Sequence, residues 1–166
     1  MAESSSSSGS PFLFTAEQIQ AAEERASHPW NPRSELIGTH LSRLAGLKSA
    51  GISLVRIPPG KESFVYHLHH REDEWIYVLA GRGIAEINER EFEVGSGDFL
   101  AYPAGKAAHH MRNEGEDELV YLMGGDNKSF EVADFPRLGK RMVKLDGQPT
   151  IYDLADGTDF RQEDLD

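Results

Sequence analysis

Five of the seven histidines in this 166-residue chain fall in two short clusters. The first cluster is the run HLHH at residues 67–70, and Glu74 follows it closely. The second cluster is the pair His109 and His110. Imidazole nitrogens together with one carboxylate are ligands typical of divalent metals such as Zn, Fe, Mn and Ni. The pattern therefore indicates a metal-binding site.

The spacing of these residues suits two neighbouring β-strands. Side chains two residues apart share one face of a strand, so His67 and His69 are expected to point the same way. Glu74 opens the next apolar run, and an antiparallel neighbour would bring it beside the histidine pair. The spacing alone leaves the fourth ligand open between His109 and His110.

The chain from about residue 36 consists of short apolar runs separated by Gly and Pro. Eight runs predict strands: 52–57, 63–69, 74–80, 84–87, 91–94, 98–102, 109–113 and 119–123. Many short strands at this spacing are typical of an all-β sandwich or barrel. No long amphipathic helices alternate with them, so a parallel α/β fold is not expected. Four glycines are assigned to turns with unusual backbone angles: Gly60, Gly81, Gly97 and Gly105.

Four regions are predicted along the chain. They are a disordered Ser-rich start (1–14), a helix and lead-in segment (15–49), the barrel core (50–124) and a C-terminal segment (125–166). The helix is expected over Thr15–Ala26, with Thr15 and Gln18 forming a capping box. Residues 126–144 are expected to be irregular and to pack on the barrel exterior, and residues 146–166 to form an extended acidic tail.

The composition excludes several classes of function. The formal net charge of −11 disfavours nucleic acid and anionic membrane surfaces, which both select basic proteins. The absence of cysteine excludes disulfides, thiol catalysis and cysteine-bound iron–sulfur clusters. The start of the chain lacks the features of a secretory signal, and no run approaches the roughly 18 apolar residues of a membrane span. A soluble, cytoplasmic protein with a small-molecule ligand is expected.

Alternation along the strands predicts which side chains face the interior. The interior set is Phe99, Ala101 and Met111, with Tyr102 near the rim. The outward set is Tyr66, Trp75 and Tyr77. An apolar patch on the exterior often marks an interface, so a homodimer is expected. The remaining polar residues are interpreted as exposed charges (Arg56, Lys61 and Glu62) and as isolated structural histidines (His28 and His40).

The first histidine cluster resembles the first of the two sequence motifs of the cupin superfamily. That motif is G-x5-H-x-H-x3,4-E-x6-G, and the matching residues are Gly60, His67, His69, Glu74 and Gly81. The interval between Gly60 and His67 is one residue longer than in the motif, and the later intervals fit.

The second histidine cluster resembles the second cupin motif, G-x5-P-x-G-x2-H-x3-N. The matching residues are Gly97, Pro103, Gly105, His109 and Asn113. The interval between Gly105 and His109 is one residue longer than in the motif, which keeps His110 in competition. Only His109 keeps three residues before Asn113, so the motif favours His109.

The resemblance covers about residues 50–124. The runs EWIYVLAGRG and EVADFPRLGKR are also similar to small bacterial single-domain cupins that are often described as sugar-isomerase-like. The resemblance implies an all-β jelly-roll barrel with one divalent metal in its interior, zinc being the first expectation. The implied ligands are His67, His69, Glu74 and His109. One or two coordination positions would stay open for water, substrate or O2.

Three functions are compatible with such a site. The first is an isomerase-like enzyme in which the metal acts as a Lewis acid on a small molecule such as a sugar or sugar phosphate. The second is an iron- or nickel-dependent dioxygenase that binds substrate and O2 at the open positions. The third is a non-enzymatic module that binds a small molecule. No residue is assigned as the catalytic base, and no Gly-rich phosphate loop indicates a nucleotide cofactor.

Overall fold

The computed structural model describes residues 10–158 of the chain. Residues 1–9 and 159–166 lie outside the described residues, and with them most of the predicted disordered start and the end of the predicted acidic tail. Within the described part, no helix is long and apolar enough to cross a membrane.

Residues 10–158 contain thirteen β-strands and two α-helices. The strands are β1 (Glu24–Ala26), β2 (Leu36–Thr39), β3 (Ala50–Ile57), β4 (Leu68–His69), β5 (Glu74–Ala80), β6 (Arg82–Ile87), β7 (Arg90–Gly95), β8 (Phe99–Tyr102), β9 (His109–Arg112), β10 (Leu119–Asp126), β11 (Phe130–Phe135), β12 (Lys140–Leu145) and β13 (Gln148–Asp153). The helices are α1 (Ala16–Ala21) and α2 (Leu41–Ala45), and two single-turn 3-10 helices cover Pro136–Leu138 and Leu154–Asp156. The all-β prediction is confirmed.

The strands form three antiparallel sheets of a jelly-roll barrel. A six-stranded sheet has the order β1–β2–β3–β10–β5–β8, a four-stranded sheet β13–β12–β11–β4, and a three-stranded sheet β7–β6–β9. Strand β10 lies between β3 and β5, so a late segment of the chain pairs with two early ones. The buried core between the sheets includes Val55, Ile57, Ile76, Val78, Leu100, Met111, Leu119 and Tyr121.

The N-terminal helix is shorter than predicted. The capping box is confirmed, because Gln18 N donates to Thr15 Oγ1 at 3.3 Å and Thr15 N donates to Gln18 Oε1 at 2.8 Å. The helix nevertheless ends at Ala21, and Glu24–Ala26 pairs with β2 as a strand. The six-residue helix buries none of its residues, so extending it would gain less than the ladder of hydrogen bonds to β2.

The predicted strand over residues 63–69 is regular only at β4. Ser63 N donates to Met111 O at 2.8 Å, and His67 N donates to His109 O at 3.1 Å. The chain therefore advances four residues from Ser63 to His67 while its partner moves only two, from Met111 to His109. Two extra residues are accommodated between these pairings, as in an enlarged β-bulge, and they interrupt the strand.

The segment after Gly125 was predicted to be irregular, and this prediction was wrong. It contains β11, β12 and β13, and β11 pairs with β4 through Ala133–His69 and Asp134–Leu68. The segment is thus part of the same sheet as the first histidine cluster. The sequence pattern did not indicate β11 as a strand, because its buried face includes the charged residue Glu131 beside Ala133 and Phe135.

The predicted orientation of β8 was also wrong. Phe99 is 62% exposed, and Ala101 is exposed as well, whereas Leu100 and Tyr102 are buried. Both alternating sets of this strand are apolar, so the sequence contains no contrast that fixes which set faces inward. Pairing with β5 decides it, because Tyr102 lies opposite Glu74 and shares its face.

The four glycines assigned to turns all have a positive φ: Gly60, Gly81, Gly97 and Gly105. The prediction for their backbone conformation is confirmed. Gly81 joins β5 to β6 at φ 78°, and a Cβ at this position would stand 2.2 Å from Glu118 O. Any other residue there would displace the backbone that leads into β10.

Candidate metal centre

The predicted ligands come from three different sheets. The expected antiparallel pairing of the first histidine strand with the Glu74 strand was wrong, because β4 pairs with β11 whereas β5 pairs with β10 and β8. His69 ends β4, Glu74 begins β5, and His109 begins β9. His67 pairs with His109 outside the regular strands, because His67 N donates to His109 O at 3.1 Å and His109 N donates to His67 O at 2.8 Å. The backbone therefore fixes His67 and His109 side by side before any side-chain contact is considered.

Glu74 lies at the centre of the three imidazoles. Its Oε2 is 3.2 Å from His69 Nε2 and 3.4 Å from His109 Nε2. His67, His69 and Glu74 each offer a ligand atom within 4.8 Å of the others, and the ring centroids of His67 and His109 are 4.4 Å apart. The structure thus brings all four predicted residues together.

In His67 and His109, the hydrogen bond made by one ring nitrogen determines whether the other nitrogen can bind a metal. His67 Nδ1 is 2.8 Å from Val65 O, and His109 Nδ1 is 3.1 Å from Ala107 O. A carbonyl oxygen only accepts, so both rings carry their proton on Nδ1 and leave the Nε2 lone pair for a ligand bond. Metal-binding histidines commonly have their second nitrogen held in this way. The donor set therefore fits a divalent metal.

The pKa values of His67 and Glu74 are shifted towards the protonation states that bind a cation. Burial lowers the pKa of His67 to about 3, so its imidazole is neutral near pH 7. Burial alone would raise the pKa of Glu74, but the neighbouring imidazoles of His109 and His69 hold it well below its ordinary value. A neutral imidazole and an ionised carboxylate are the forms in which these side chains bind metals.

His109 and His110 point to opposite sides of β9. His109 lines the interior cavity together with Met111, which is 1% exposed. His110 is buried on the other side of the strand, with its Nε2 3.5 Å from Glu62 Oε2. The geometry therefore places His109 with the other three candidate ligands, and it confirms that Met111 faces the interior.

Glu131 on β11 is a site residue that the sequence analysis missed. It is fully buried, accepts a hydrogen bond from His70 N at 3.0 Å, and places Oε1 3.5 Å from His69 Nδ1. Together with Glu72, it forms a second cluster around His69 within 4.8 Å. The only signal in the sequence was the alternation of Glu131 with Ala133 in a segment that we interpreted as irregular.

A cavity of about 380 Å³ opens beside the four candidate ligands. Its walls come from the bulged segment at Phe64, from the core at Ile76 and Met123, and from the C-terminal strands at Phe135 and Met142. A larger depression of about 740 Å³ lies elsewhere on the barrel, between Gly81 and Gly115, and no histidine among the described residues lines it. The candidate site is therefore the smaller, interior cavity.

An aromatic cluster of His28, Trp30, Phe64 and Phe135 stands against this cavity. The ring centroid of Phe135 is 6.1 Å from that of His28 and 6.4 Å from that of His67. His28 was predicted to be an isolated structural residue, but it lines the cavity. His40 lies outside this cavity, and its Nδ1 is 3.0 Å from Ser53 Oγ.

Two further predictions about polar and aromatic residues were wrong. Glu62 was predicted to be an exposed charge, but it is 7% exposed and forms an ion pair with Arg33. Tyr66 was predicted to face outward, but it is buried beneath the guanidinium of Arg137, 4.3 Å from the ring centroid. The outward prediction is confirmed for Tyr77, which is 42% exposed.

The jelly-roll barrel and the His/Glu cluster beside its interior cavity are together typical of β-barrel proteins that hold a metal inside the barrel. Comparison with known proteins agrees: the family model of the cupin domain matches residues 53–125. The structure of a "putative sugar phosphate isomerase" from Acidithiobacillus ferrooxidans is 36% identical, with a TM-score of 0.86 over 92% of this chain and 98% of that chain. The chain belongs to the cupin superfamily.

A second solved structure shares the fold, and one curated protein matches part of the sequence. A structure of a sugar phosphate isomerase from Silicibacter pomeroyi is 23% identical, with a TM-score of 0.73 over 86% of this chain and 95% of that chain. Among curated proteins, an uncharacterized protein from Methanocaldococcus jannaschii is 33% identical over 66 residues. That match covers 40% of this chain, and it spans about half the length of the relative (51%).

Proposed function

We propose that the chain binds one divalent metal ion through His67, His69, Glu74 and His109. The observation that carries this proposal is the hydrogen bonding of His67 and His109 through Nδ1 to backbone carbonyls, around a carboxylate held in its ionised form. Zinc is the first metal we propose, since three imidazoles and a carboxylate suit it. Iron, manganese and nickel accept the same ligands.

We further propose isomerase-like chemistry on a small α-hydroxycarbonyl compound, the reacting group of an open-chain sugar. The similarity to the Acidithiobacillus ferrooxidans structure supports this class of reaction. A bound divalent metal supplies a Lewis acid that polarises the substrate oxygens. The isomerisation moves one proton between neighbouring carbons and another between their oxygens, so it consumes no oxidant or other co-reactant.

His28 is the cavity residue that we propose as a hydrogen-bond donor to a substrate oxygen. Its Nδ1 accepts from Trp30 N at 3.3 Å, so a neutral ring carries its proton on Nε2. Burial lowers the pKa of His28, which favours this neutral form near pH 7. Replacement by Phe should weaken substrate binding or turnover while metal content stays unchanged.

The metal proposal is tested by elemental analysis of protein purified without a histidine tag. The unaltered chain should retain one divalent ion per chain after dialysis, and His67→Ala, His69→Ala and His109→Ala should each lose it. His40→Ala and His110→Ala are matched controls that should retain it, because these histidines lie outside the four-residue cluster. Retention of the ion by all three ligand variants would overturn the proposal.

The reaction is tested by proton NMR of hydroxyacetone in D2O. Metal-loaded protein should accelerate exchange of the protons next to the carbonyl, and His69→Ala should not. If His69→Ala lost its metal but still bound and exchanged the compound normally, the metal-centred function would be wrong. Oxygen uptake on adding iron-loaded protein to an organic substrate would point instead to the dioxygenase alternative.

A further inference from the structure

The walls of the candidate site differ from what a phosphorylated substrate requires. Among the described residues that line the cavity, none is Lys or Arg. Apart from the four candidate ligands, the polar side chains of the lining are those of His28, Ser63 and Tyr121, and all others are apolar. A phosphate buried among these apolar side chains would lose its hydration without a Lys or Arg partner.

The basic residues of the cavity-lining strand β12 are already paired. On β12, which carries the lining residue Met142, the basic side chains each contact a carboxylate: Lys140 with Asp153, Arg141 with Asp134, and Lys144 with Glu72. Lys140 Nζ also lies 5.6 Å from the ring centroid of Trp30. Recruiting one of these cations for a phosphate would break an existing ion pair.

The aromatic cluster supplies the opposite kind of surface. His28, Phe64 and Phe135 place three rings on the wall of the cavity, and Trp30 packs edge-on against Phe135 at 5.3 Å. Phe135 connects this cluster to His67, so a ring stacked there would keep a polar group within reach of the metal ligands. Aromatic walls of this kind favour planar apolar groups.

We propose that the cavity selects a small substrate whose body is aryl or alkyl, attached to an uncharged α-hydroxycarbonyl group, and that it rejects phosphorylated sugars. The proposal rests on the proposed metal-dependent function and specifies its substrate class. The polar head faces the His/Glu cluster, and the apolar body occupies the space between Phe135, Met142 and Met123.

The test compares the affinities of three compounds for the metal-loaded full chain by isothermal titration calorimetry. 2-Hydroxyacetophenone carries the aryl body, hydroxyacetone lacks it, and dihydroxyacetone phosphate replaces it with a phosphate. The aryl compound should bind about tenfold more tightly than hydroxyacetone or better, since burial of a phenyl ring removes a large apolar surface from water. Dihydroxyacetone phosphate should bind more weakly than the aryl compound.

A positive charge introduced into the cavity should reverse the preference between the aryl compound and the phosphorylated compound. Met142→Lys should weaken binding of 2-hydroxyacetophenone and strengthen binding of dihydroxyacetone phosphate. Leu145→Lys adds the same charge to the same strand at a residue that is 61% exposed and outside the lining, so it should change neither affinity. Met142→Gln adds no charge, so it should weaken binding of 2-hydroxyacetophenone and leave binding of dihydroxyacetone phosphate unchanged. This variant tests the proposal even if Met142→Lys fails to fold.

Metal analysis of every sample separates the two proposals. If the unaltered protein binds no metal, the proposed function is wrong. A metal-loaded protein that binds dihydroxyacetone phosphate as tightly as 2-hydroxyacetophenone, or that binds no aryl compound at all, would overturn the substrate class alone.

Discussion

The ring of Tyr102 lies flat on the imidazole of His109, with centroids 3.7 Å apart and planes inclined by 4°. Tyr102 is 2% exposed, and its hydroxyl has no hydrogen-bond partner among the described residues. Burial raises the pKa of this hydroxyl, so it stays protonated. The stack and the bond from His109 Nδ1 to Ala107 O together leave the imidazole little freedom to turn.

We expect the stack on Tyr102 to be required for tight metal binding. Tyr102→Leu should raise the metal dissociation constant roughly tenfold, because His109 must then be ordered on binding. Tyr102→Phe keeps the ring and should bind metal as tightly as the unaltered chain. Competition with a chromophoric chelator measures both affinities. Equal affinities for the two variants would show that the stack has no role in positioning His109.

Glu131 is expected to orient His69 from its Nδ1 side. Glu131→Gln should weaken metal binding by roughly 10- to 100-fold, the range found for lost partners of metal-bound histidines. Glu72→Gln is the matched control, since Glu72 lies in the same cluster but its Oε1 is occupied by Lys128 N and Lys144 Nζ, each at 2.7 Å. A larger effect from Glu72→Gln than from Glu131→Gln would contradict this role.

Asp134 should make the stability of the cavity wall depend on pH. Two hydrogen bonds from Arg141, at 2.6 and 2.8 Å, and a contact with His70 lower the pKa of this carboxyl in the folded chain. A lowered pKa stabilises the fold above the unfolded-state pKa of about 4, and this stabilisation is lost as the pH falls through the folded-state value.

Asp134→Asn should therefore reduce the free energy of unfolding by roughly 1–3 kcal/mol at pH 7, where the charged pair is intact. The difference from the unaltered protein should shrink as the pH is lowered below about 4, where the carboxylate becomes protonated. Urea unfolding at a series of pH values measures it. A difference that stays constant from pH 7 to pH 3 would mean that charge is not the cause.

The outer face of β5 and β8 carries an exposed apolar patch, which bears on the predicted homodimer. Tyr77 and Phe99 lie opposite each other on β5 and β8, and Leu79 follows on the same face; their exposed fractions are 42%, 62% and 44%. Tyr66 does not belong to this patch, because it is buried. We propose that two copies of the chain associate through the outer face of β5 and β8.

The double variant Tyr77→Lys/Phe99→Lys should be monomeric in light scattering coupled to size exclusion, and the unaltered chain should elute as a dimer. Tyr152→Lys removes an aromatic side chain that is 53% exposed on β13, and it should leave the dimer intact. A monomeric unaltered protein, or a dimer that survives the double variant, would exclude this interface.

The local pattern of the sequence determined the chemistry of the site. The run at residues 67–70 followed by Glu74 specifies a ligand set, and alternation within β9 places His109 on the side of Met111. The glycines also follow from local chemistry, since a positive φ is cheap only for that residue. Features like these depend on neighbours within a few positions along the chain.

Only the tertiary structure decided the surroundings of the site. The phase of β8 depends on its register with β5, the bulge before His67 depends on pairing with β9, and Glu131 reaches His69 because β11 pairs with β4. Each of these contacts joins segments that are distant in sequence, and each involves residues whose polarity fits more than one arrangement. Local alternation thus determined the candidate ligands, whereas long-range strand pairing decided which side chains orient them and form the cavity.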